Sequence, residues 1–133
     1  MLAIKTFLLR TAWAPATVLI FHQAIAHTSL RKPLDFTVHS LGGASMAFCA
    51  WHGIACFPAL FGRMTAFAAY LLSFCSALTI GVFWEFIEQL SDKFRGTHIQ
   101  LSVGETMGDL WADATGASVA LLLVLIVRAA RRR

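Results

Sequence analysis

The acidic residues of this chain are few, and their spacing groups them at one end of a predicted helical bundle. They fall in three stretches of the sequence: Asp35; Glu85, Glu88 and Asp92; and Glu105, Asp109 and Asp113. Separations of three or four residues place side chains on one face of a helix. An ionised Asp at the centre of an inserting helix costs ~2.5–3.5 kcal/mol. We therefore predict that this grouping is a functional site.

Depth along the helices orders the predicted cluster. A helix rises ~1.5 Å per residue, which places Asp35, Asp92 and Glu105 at a rim. His39, His22, Glu88 and Asp109 are expected one turn deeper, and Glu85 and Asp113 a further turn down. Glu88 and Asp109 are the expected central pair of ligands or acid–base groups. Their expected supporting residues are Glu85, Asp113 and His39. The candidate cluster consists of Asp35, His39, Glu85, Glu88, Asp92, Asp109 and Asp113.

Two kinds of chemistry suit such a cluster, and the sequence leaves both open. Carboxylates favour Mg²⁺, Ca²⁺ or Mn²⁺, and a histidine extends the choice to zinc or iron. The candidate metal ligands are Glu85, Glu88, Asp109, Asp113 and His39. The alternative is a hydrogen-bonded carboxyl cluster that is partly protonated and partly paired with basic residues. Those basic residues would be Arg31, Lys32, Lys93 and Arg95.

The composition is that of an integral membrane protein. Of the 133 residues, 58% are hydrophobic and 14% are charged, with a pI near 9.4 and a mean hydropathy of +0.69. A soluble domain carries about 25% charged residues. The basic residues lie in loops and tails, without a basic face interleaved with aromatic residues. The sequence therefore predicts a lipid bilayer as the environment and excludes a nucleic-acid partner.

Hydropathy predicts an all-α membrane protein, a four-transmembrane-helix bundle forming a single domain over residues 1–133. A span needs about 20 apolar residues, and the predicted spans are 7–27, 36–57, 64–90 and 104–127. Pro15 is expected to kink the first span mildly. This span also resembles a signal peptide that ends at Ala24-Ile25-Ala26, but Pro15 and His22 favour a retained helix.

Charge bias predicts the orientation. Basic residues without acidic ones are expected at the end that carries both termini: Lys5, Arg10, Arg63, Arg128, Arg131, Arg132 and Arg133. The positive-inside rule then places both termini in the cytoplasm and the acidic end outside. We expect a multi-pass protein of the bacterial inner membrane. The inner half carries few ionisable groups, whereas a conduit needs polar groups across the span, which argues against a channel.

Small residues predict close helix packing beside the cluster. Gly108, Ala112 and Gly116 recur every four residues in the last span, and Gly43 and Ala47 do so in the second. Such stripes allow membrane helices to approach closely. Ordinary helix packing accounts for them, and it would bring the acidic faces together.

Several polar segments, in order, resemble the VanZ-like family of small membrane proteins. They are Asp35-Phe36-Thr37-Val38-His39, Trp84-Glu85-Phe86-Ile87-Glu88, Glu105-Thr106-Met107-Gly108-Asp109, Asp113 and Gly116-Ala117. The resemblance covers the second to fourth spans and implies a small inner-membrane protein with this polar site. VanZ is linked to reduced sensitivity to a glycopeptide antibiotic. That role does not transfer, because Trp-Glu-x-x-Glu stands here where VanZ has a Glu-x-x-Gln-like sequence.

Three functions are compatible with the sequence. A binding protein would hold a cation (Mg, Ca, Mn or Zn) or a basic partner at the acidic cluster. An accessory subunit of a respiratory or photosynthetic complex would use the acids structurally. The expected partners besides lipid are other membrane subunits or further copies of the chain in a homo-oligomer. A metal-assisted enzyme would act on a lipid headgroup or cell-wall precursor. Because there is no recognisable nucleophile or strict metal motif, we favour binding over catalysis and assign no catalytic residues.

Overall fold

The computed structural model describes residues 2–26 and 28–131, and those residues form helices joined by short loops, without a β-strand. The helices are α1 (Leu2–Thr11), α2 (Trp13–Ile25), α3 (Arg31–Cys56), α4 (Pro58–Phe61), α5 (Ala66–Arg95) and α6 (Val103–Ala130). His27, at the end of the first predicted span, and Arg132 and Arg133, in the predicted basic tail, lie outside the described residues. The prediction of an all-helical chain is confirmed.

The first predicted span is broken rather than mildly kinked. Residues Ile4–Thr11 and Trp13–Ile25 meet at an angle of 46°. Pro15 explains the break, because proline has no N–H to donate to the carbonyl four residues earlier and its ring clashes with that carbonyl. The carbonyl in question belongs to Thr11, and it accepts a hydrogen bond from the Cys49 thiol of α3 at 3.3 Å. The carbonyl that is left free at the break thus connects the α1–α2 pair to α3.

Helix α3 is the centre of the bundle, and it contacts α1, α2, α5 and α6. Its closest approach is to α6. A Cβ atom on Gly43 would collide with the backbone of Asp113, and one on Gly116 would collide with the backbone carbonyl of Ser40. Glycine is therefore required at both crossing points. Gly108 does not share this role, because a Cβ there would meet no atom within 4 Å.

Small residues also fill the interior below the acidic end. A buried cluster consists of Ala47, Trp51, Ala69, Ala77, Ala117 and Leu121. Four of these six are alanine, so the helices pack by close backbone approach rather than by large interlocking side chains. This packing fixes how far each helix is displaced along its axis relative to its neighbours, and so determines which polar residues meet.

Two helices, α5 and α6, are long and apolar enough to cross a membrane, and the bent pair adds a third if it counts as one span. Large apolar side chains cover the outer surface: Phe67, Phe83 and Trp111 are 74%, 60% and 69% exposed. Contiguous apolar surface of this kind is suited to lipid. Helix α3, predicted as a span over 36–57, is not among the apolar candidates in the described chain. Its polar and small residues reflect its position inside the bundle, where neighbouring helices cover it.

Candidate functional site

Three buried side chains from three helices converge at the acidic end of the bundle. His39 of α3, Glu85 of α5 and Asp109 of α6 each offer one ligand atom, and these atoms all lie within 4.8 Å of one another. Their relative exposures are 6%, 4% and 9%. An imidazole and two carboxylates gathered at this spacing in the interior are suited to a divalent cation.

Gln100, in the loop between α5 and α6, orients Glu85. Its side-chain amide donates to the Glu85 backbone carbonyl at 2.9 Å and to Glu85 Oε2 at 2.8 Å. The other carboxylate oxygen, Oε1, is buried and has no hydrogen-bond partner. One oxygen is thus held in place while the second remains available to a ligand. Gln100 was not among the predicted site residues, because nothing in the spacing of the sequence links a loop amide to a residue fifteen positions earlier.

Asp92 orders the same loop. Its carboxylate accepts hydrogen bonds from Thr97 Oγ1 at 2.6 Å, from the Ile99 amide at 2.7 Å and from the Gln100 amide at 2.8 Å. Gly96 ends α5 in the left-handed conformation, with φ of 65°, which glycine adopts without strain. Asp92, predicted as part of the binding cluster, therefore lies beside it and positions the loop that carries Gln100.

Asp113 lies next to His39 at the crossing of three helices. Its Oδ2 atom is 3.7 Å from His39 Nδ1, which is too long for a hydrogen bond, and that oxygen is buried without a hydrogen-bond partner. Gly81 of α5 makes room for this carboxylate, because a Cβ on Gly81 would collide with Oδ2. Asp113 is thus placed to orient the imidazole through its Nδ1 face.

Glu88 is buried but is not one of the three converging ligands. Its Oε1 atom accepts a hydrogen bond from the indole Nε1 of Trp84, one turn earlier on α5, at 3.0 Å. The geometry therefore differs from the expected central pair of Glu88 and Asp109. Glu85 was expected one turn deeper than Asp109, but the two residues lie at the same depth. The displacement of α5 relative to α6 along the bundle axis therefore differs by about one turn from the displacement that counting residues predicts.

The two remaining acids lie at the rim. Asp35 is half-buried and lines an outer depression with Arg31, His98 and Glu105. Glu105 belongs to the start of α6: its Oε2 atom accepts from the Leu101 amide at 2.8 Å, and its own amide donates to Ser102 Oγ at 3.2 Å. Ser102 is therefore the N-cap of α6, and the Glu105 carboxylate holds the loop residue just before it, an arrangement close to a capping box.

The basic residues of this end do not neutralise the cluster. Across residues 2–26 and 28–131, no Lys or Arg nitrogen lies within 4.0 Å of a carboxylate oxygen, and the acid–base contact is that of His39 with Asp113. The pairing expected with Arg31, Lys32, Lys93 and Arg95 is therefore not seen. Four carboxylates with relative exposures of 4–9% remain: Glu85, Glu88, Asp109 and Asp113.

A cavity of about 260 Å³ lies directly below the cluster, between α2, α3 and α5. Its wall is mainly apolar, with His22, His39 and Asp113 as its titratable groups. The His22 and Trp84 rings meet edge to face at its outer end, with centroids 5.3 Å apart. The polar cluster therefore borders both the outer rim and an apolar space within the bundle.

Comparison with known proteins gives a family but no described relative. A family model described as "Predicted membrane protein (DUF2238)" matches residues 3–130. The matching family is not the VanZ-like group that the polar segments resemble. No curated protein and no solved structure matches the chain.

Proposed function

Because this chain belongs to the DUF2238 family of predicted membrane proteins, we propose that it is a multi-span membrane protein that binds a divalent cation. The site consists of His39, Glu85 and Asp109. The observation that carries this proposal is the convergence of their ligand atoms within 4.8 Å of one another in a buried setting. A buried carboxylate is costly unless it is paired, protonated or bound to a metal.

The spacing of the three groups is compatible with a cation. Their ligand atoms all lie within 4.8 Å of one another. Ligands that share one divalent cation at bonds of ~2.0–2.6 Å cannot be more than ~5.2 Å apart. Gln100 on Glu85 and Asp113 beside His39 correspond to the outer groups that hold metal ligands in orientation. Glu88 would adjust the charge of the site.

The unpartnered oxygen of Glu85 favours a cation over a closed hydrogen-bonded network. In a network of protonated carboxyls, each buried oxygen would find a donor or acceptor. Oε1 of Glu85 has none among the described residues, although a ligand atom of Glu85 lies within 4.8 Å of those of His39 and Asp109. A cation would satisfy this oxygen and offset the charge of the carboxylates together.

We also propose that four segments cross the membrane, with α3 as the crossing that the other helices shield from lipid. Helix α3 has 26 residues and is therefore ~39 Å long, enough to span a bilayer. Polar residues are tolerated in a spanning helix where they face the bundle interior. Both termini would lie in the cytoplasm by the positive-inside rule, so the cation site would open toward the outer face.

The test is to purify the protein in mild detergent and to measure bound metals by inductively coupled plasma mass spectrometry. We expect a stoichiometric divalent metal in the wild type, and its loss in Glu85→Gln and Asp109→Asn, because each variant removes a charged ligand. Glu105→Gln is the matched control. It removes a carboxylate from the same end of the bundle that holds the loop before α6 rather than lining the site, so its metal content should match the wild type.

Two outcomes would contradict the cation site. One is a wild-type protein without metal after dialysis against Mg²⁺, Ca²⁺, Mn²⁺ and Zn²⁺ in turn. The other is equal metal loss in Glu105→Gln and Glu85→Gln, which would point to non-specific charge. Circular dichroism on each variant ensures that a loss of metal is compared only among folded proteins.

A further inference from the structure

The cavity below the cluster opens sideways between α2 and α5. Among the described residues, no Cα atom of α2 lies within 8 Å of one in α5. The two rims of the opening carry Leu19 of α2 and Ile80 of α5, which are 48% and 43% exposed although both line the cavity. In a bilayer, this opening faces the hydrocarbon, and α3 forms its floor.

The inner wall of the cavity combines an apolar surface with unsatisfied polar atoms. Val18, Met46 and Ala77 are among its apolar lining residues. His22 Nδ1 and Asp113 Oδ2, on the same cavity, are buried and without a hydrogen-bond partner in the described chain. Asp113 is 4% exposed. An apolar slot with a buried acceptor fits a ligand that has a hydrocarbon body and a hydrogen-bond donor at one end.

The charge of the cavity narrows the ligand class. No Lys or Arg is among its lining residues, so no basic side chain in the wall could pair with a phosphate or carboxylate headgroup. A volume of about 260 Å³ is below the ~300–1,000 Å³ of pockets that enclose a drug-sized ligand. One hydrocarbon chain therefore suits it better than two.

We propose that this cavity binds the single acyl chain of a neutral, hydroxyl-bearing lipid of the monoacylglycerol class, which enters from the bilayer between α2 and α5. The hydroxyl donates a hydrogen bond to Asp113 Oδ2, and the chain lies along α3 toward Met46. The choice of a hydroxyl over an ammonium head rests on the proposed function, because a cation at His39, Glu85 and Asp109 would repel an ammonium group nearby.

Photo-crosslinking tests the proposal. The protein is reconstituted in phosphatidylcholine vesicles that contain a monoacylglycerol with a diazirine in its chain, and labelled peptides are mapped by mass spectrometry. We expect labels on the cavity-lining residues of α2 and α5. Unlabelled monoacylglycerol should compete for them, whereas the methyl ester of the same fatty acid, which has no hydroxyl, should not. Labels spread evenly over the lipid-facing sides of α5 and α6, or equal competition by the ester, would overturn the proposal.

A matched pair of variants checks the location. Val18→Phe places a larger ring in the cavity and should lower the competed labelling about tenfold, the effect of ~1.4 kcal/mol. Ile20→Phe adds a ring on the same helix at a residue that is 70% exposed and does not line the cavity, so labelling should not change. Equal competed labelling of the two variants would show that the lipid does not bind in the cavity.

The outcome is separable from that of the cation site. Glu85→Gln should lose the metal. If unlabelled monoacylglycerol still reduces the labelling of this variant, the lipid proposal is supported whether or not the metal measurement supports the cation site. A wild-type protein that binds metal but shows no competed labelling would overturn the lipid proposal alone. A protein that binds a long-chain ammonium in preference to the hydroxyl lipid would overturn the assigned head group.

Discussion

At the level of single residues, the site depends on how each carboxylate is held. Glu85 is fixed through Oε2 by Gln100 and keeps Oε1 unpaired, whereas Glu88 is engaged by Trp84 on its own helix. Two glutamates three positions apart on α5 therefore differ in whether a carboxylate oxygen is free to bind a ligand. Outer groups that orient metal ligands affect binding almost as strongly as the ligands themselves, which makes Gln100 the informative residue to change.

We expect Gln100→Ala to weaken cation binding by about 10–100-fold, the usual effect of removing a group that orients a ligand. The reason is that Glu85 loses its side-chain hydrogen bond and is free to turn away from His39 and Asp109. Competition with a chromogenic chelator measures the affinity. Gln89→Ala is the control, because Gln89 is an exposed glutamine on α5. Unchanged affinity in Gln100→Ala would mean that Glu85 does not depend on this contact.

At the level of elements, the α3–α6 crossing positions two of the three proposed ligands. His39 lies four residues before Gly43 on α3, and Asp109 lies seven before Gly116 on α6. Because the glycines allow backbone contact, they set both the distance and the axial offset of these helices. The crossing, rather than any ligand, therefore determines that His39 and Asp109 meet.

Gly116→Ala should destabilise the protein by about 1–3 kcal/mol, the usual cost of forcing an added group into a packed interior, since its Cβ collides with the Ser40 carbonyl. Gly108→Ala on the same helix should be neutral or stabilising by up to ~1 kcal/mol through helix propensity, because its Cβ meets nothing within 4 Å. Unfolding by sodium dodecyl sulfate in mild detergent measures both. Equal stability of the two variants would refute the close α3–α6 contact.

At the level of the whole molecule, the charged residues are distributed unequally between the two ends of the bundle. The acidic cluster lies where α3 and α6 begin and α5 ends, whereas Arg128 lies over the Trp51 ring at the opposite end, 5.9 Å from its centroid. One end with basic residues and no acids, and a second end that carries all the acids, are the pattern of a membrane protein with one orientation. The cation and lipid sites would then both be reached from the outer half of the bilayer.

Cysteine accessibility tests this orientation. In a protein whose native Cys49, Cys56 and Cys75 are replaced by alanine, His98→Cys should react with an impermeant maleimide added to intact cells. Arg63→Cys, in the loop at the other end, should react only after the cells are permeabilised. Both positions are exposed, so reactivity reports location rather than burial. The reverse pattern would invert the topology and place the cation site on the cytoplasmic side.

The sequence determined the class of the protein and which acidic residues share a helix face, because these follow from local properties. Hydropathy and helical spacing predicted a helical membrane protein, and spacings of three and four placed the acids on common faces. Pro15 also predicted a disturbance in the first span, although its size was underestimated. A proline that follows a helical turn removes a hydrogen bond to the carbonyl four residues earlier, but the resulting angle depends on contacts such as that of Cys49 with Thr11.

Only the tertiary structure decided which residues meet. The offset between helices is not encoded in the spacing within any one of them, so Glu85 rather than Glu88 lies with Asp109. The roles of Asp92 and Gln100 arise from a loop that folds back over α5. The cavity exists because α2 and α5 both pack on α3 while their backbones stay apart, with the His22 and Trp84 rings in contact at its outer end. These features come from distant parts of the chain brought together by close contacts at Gly43, Gly81 and Gly116, where any larger side chain would force the helices apart.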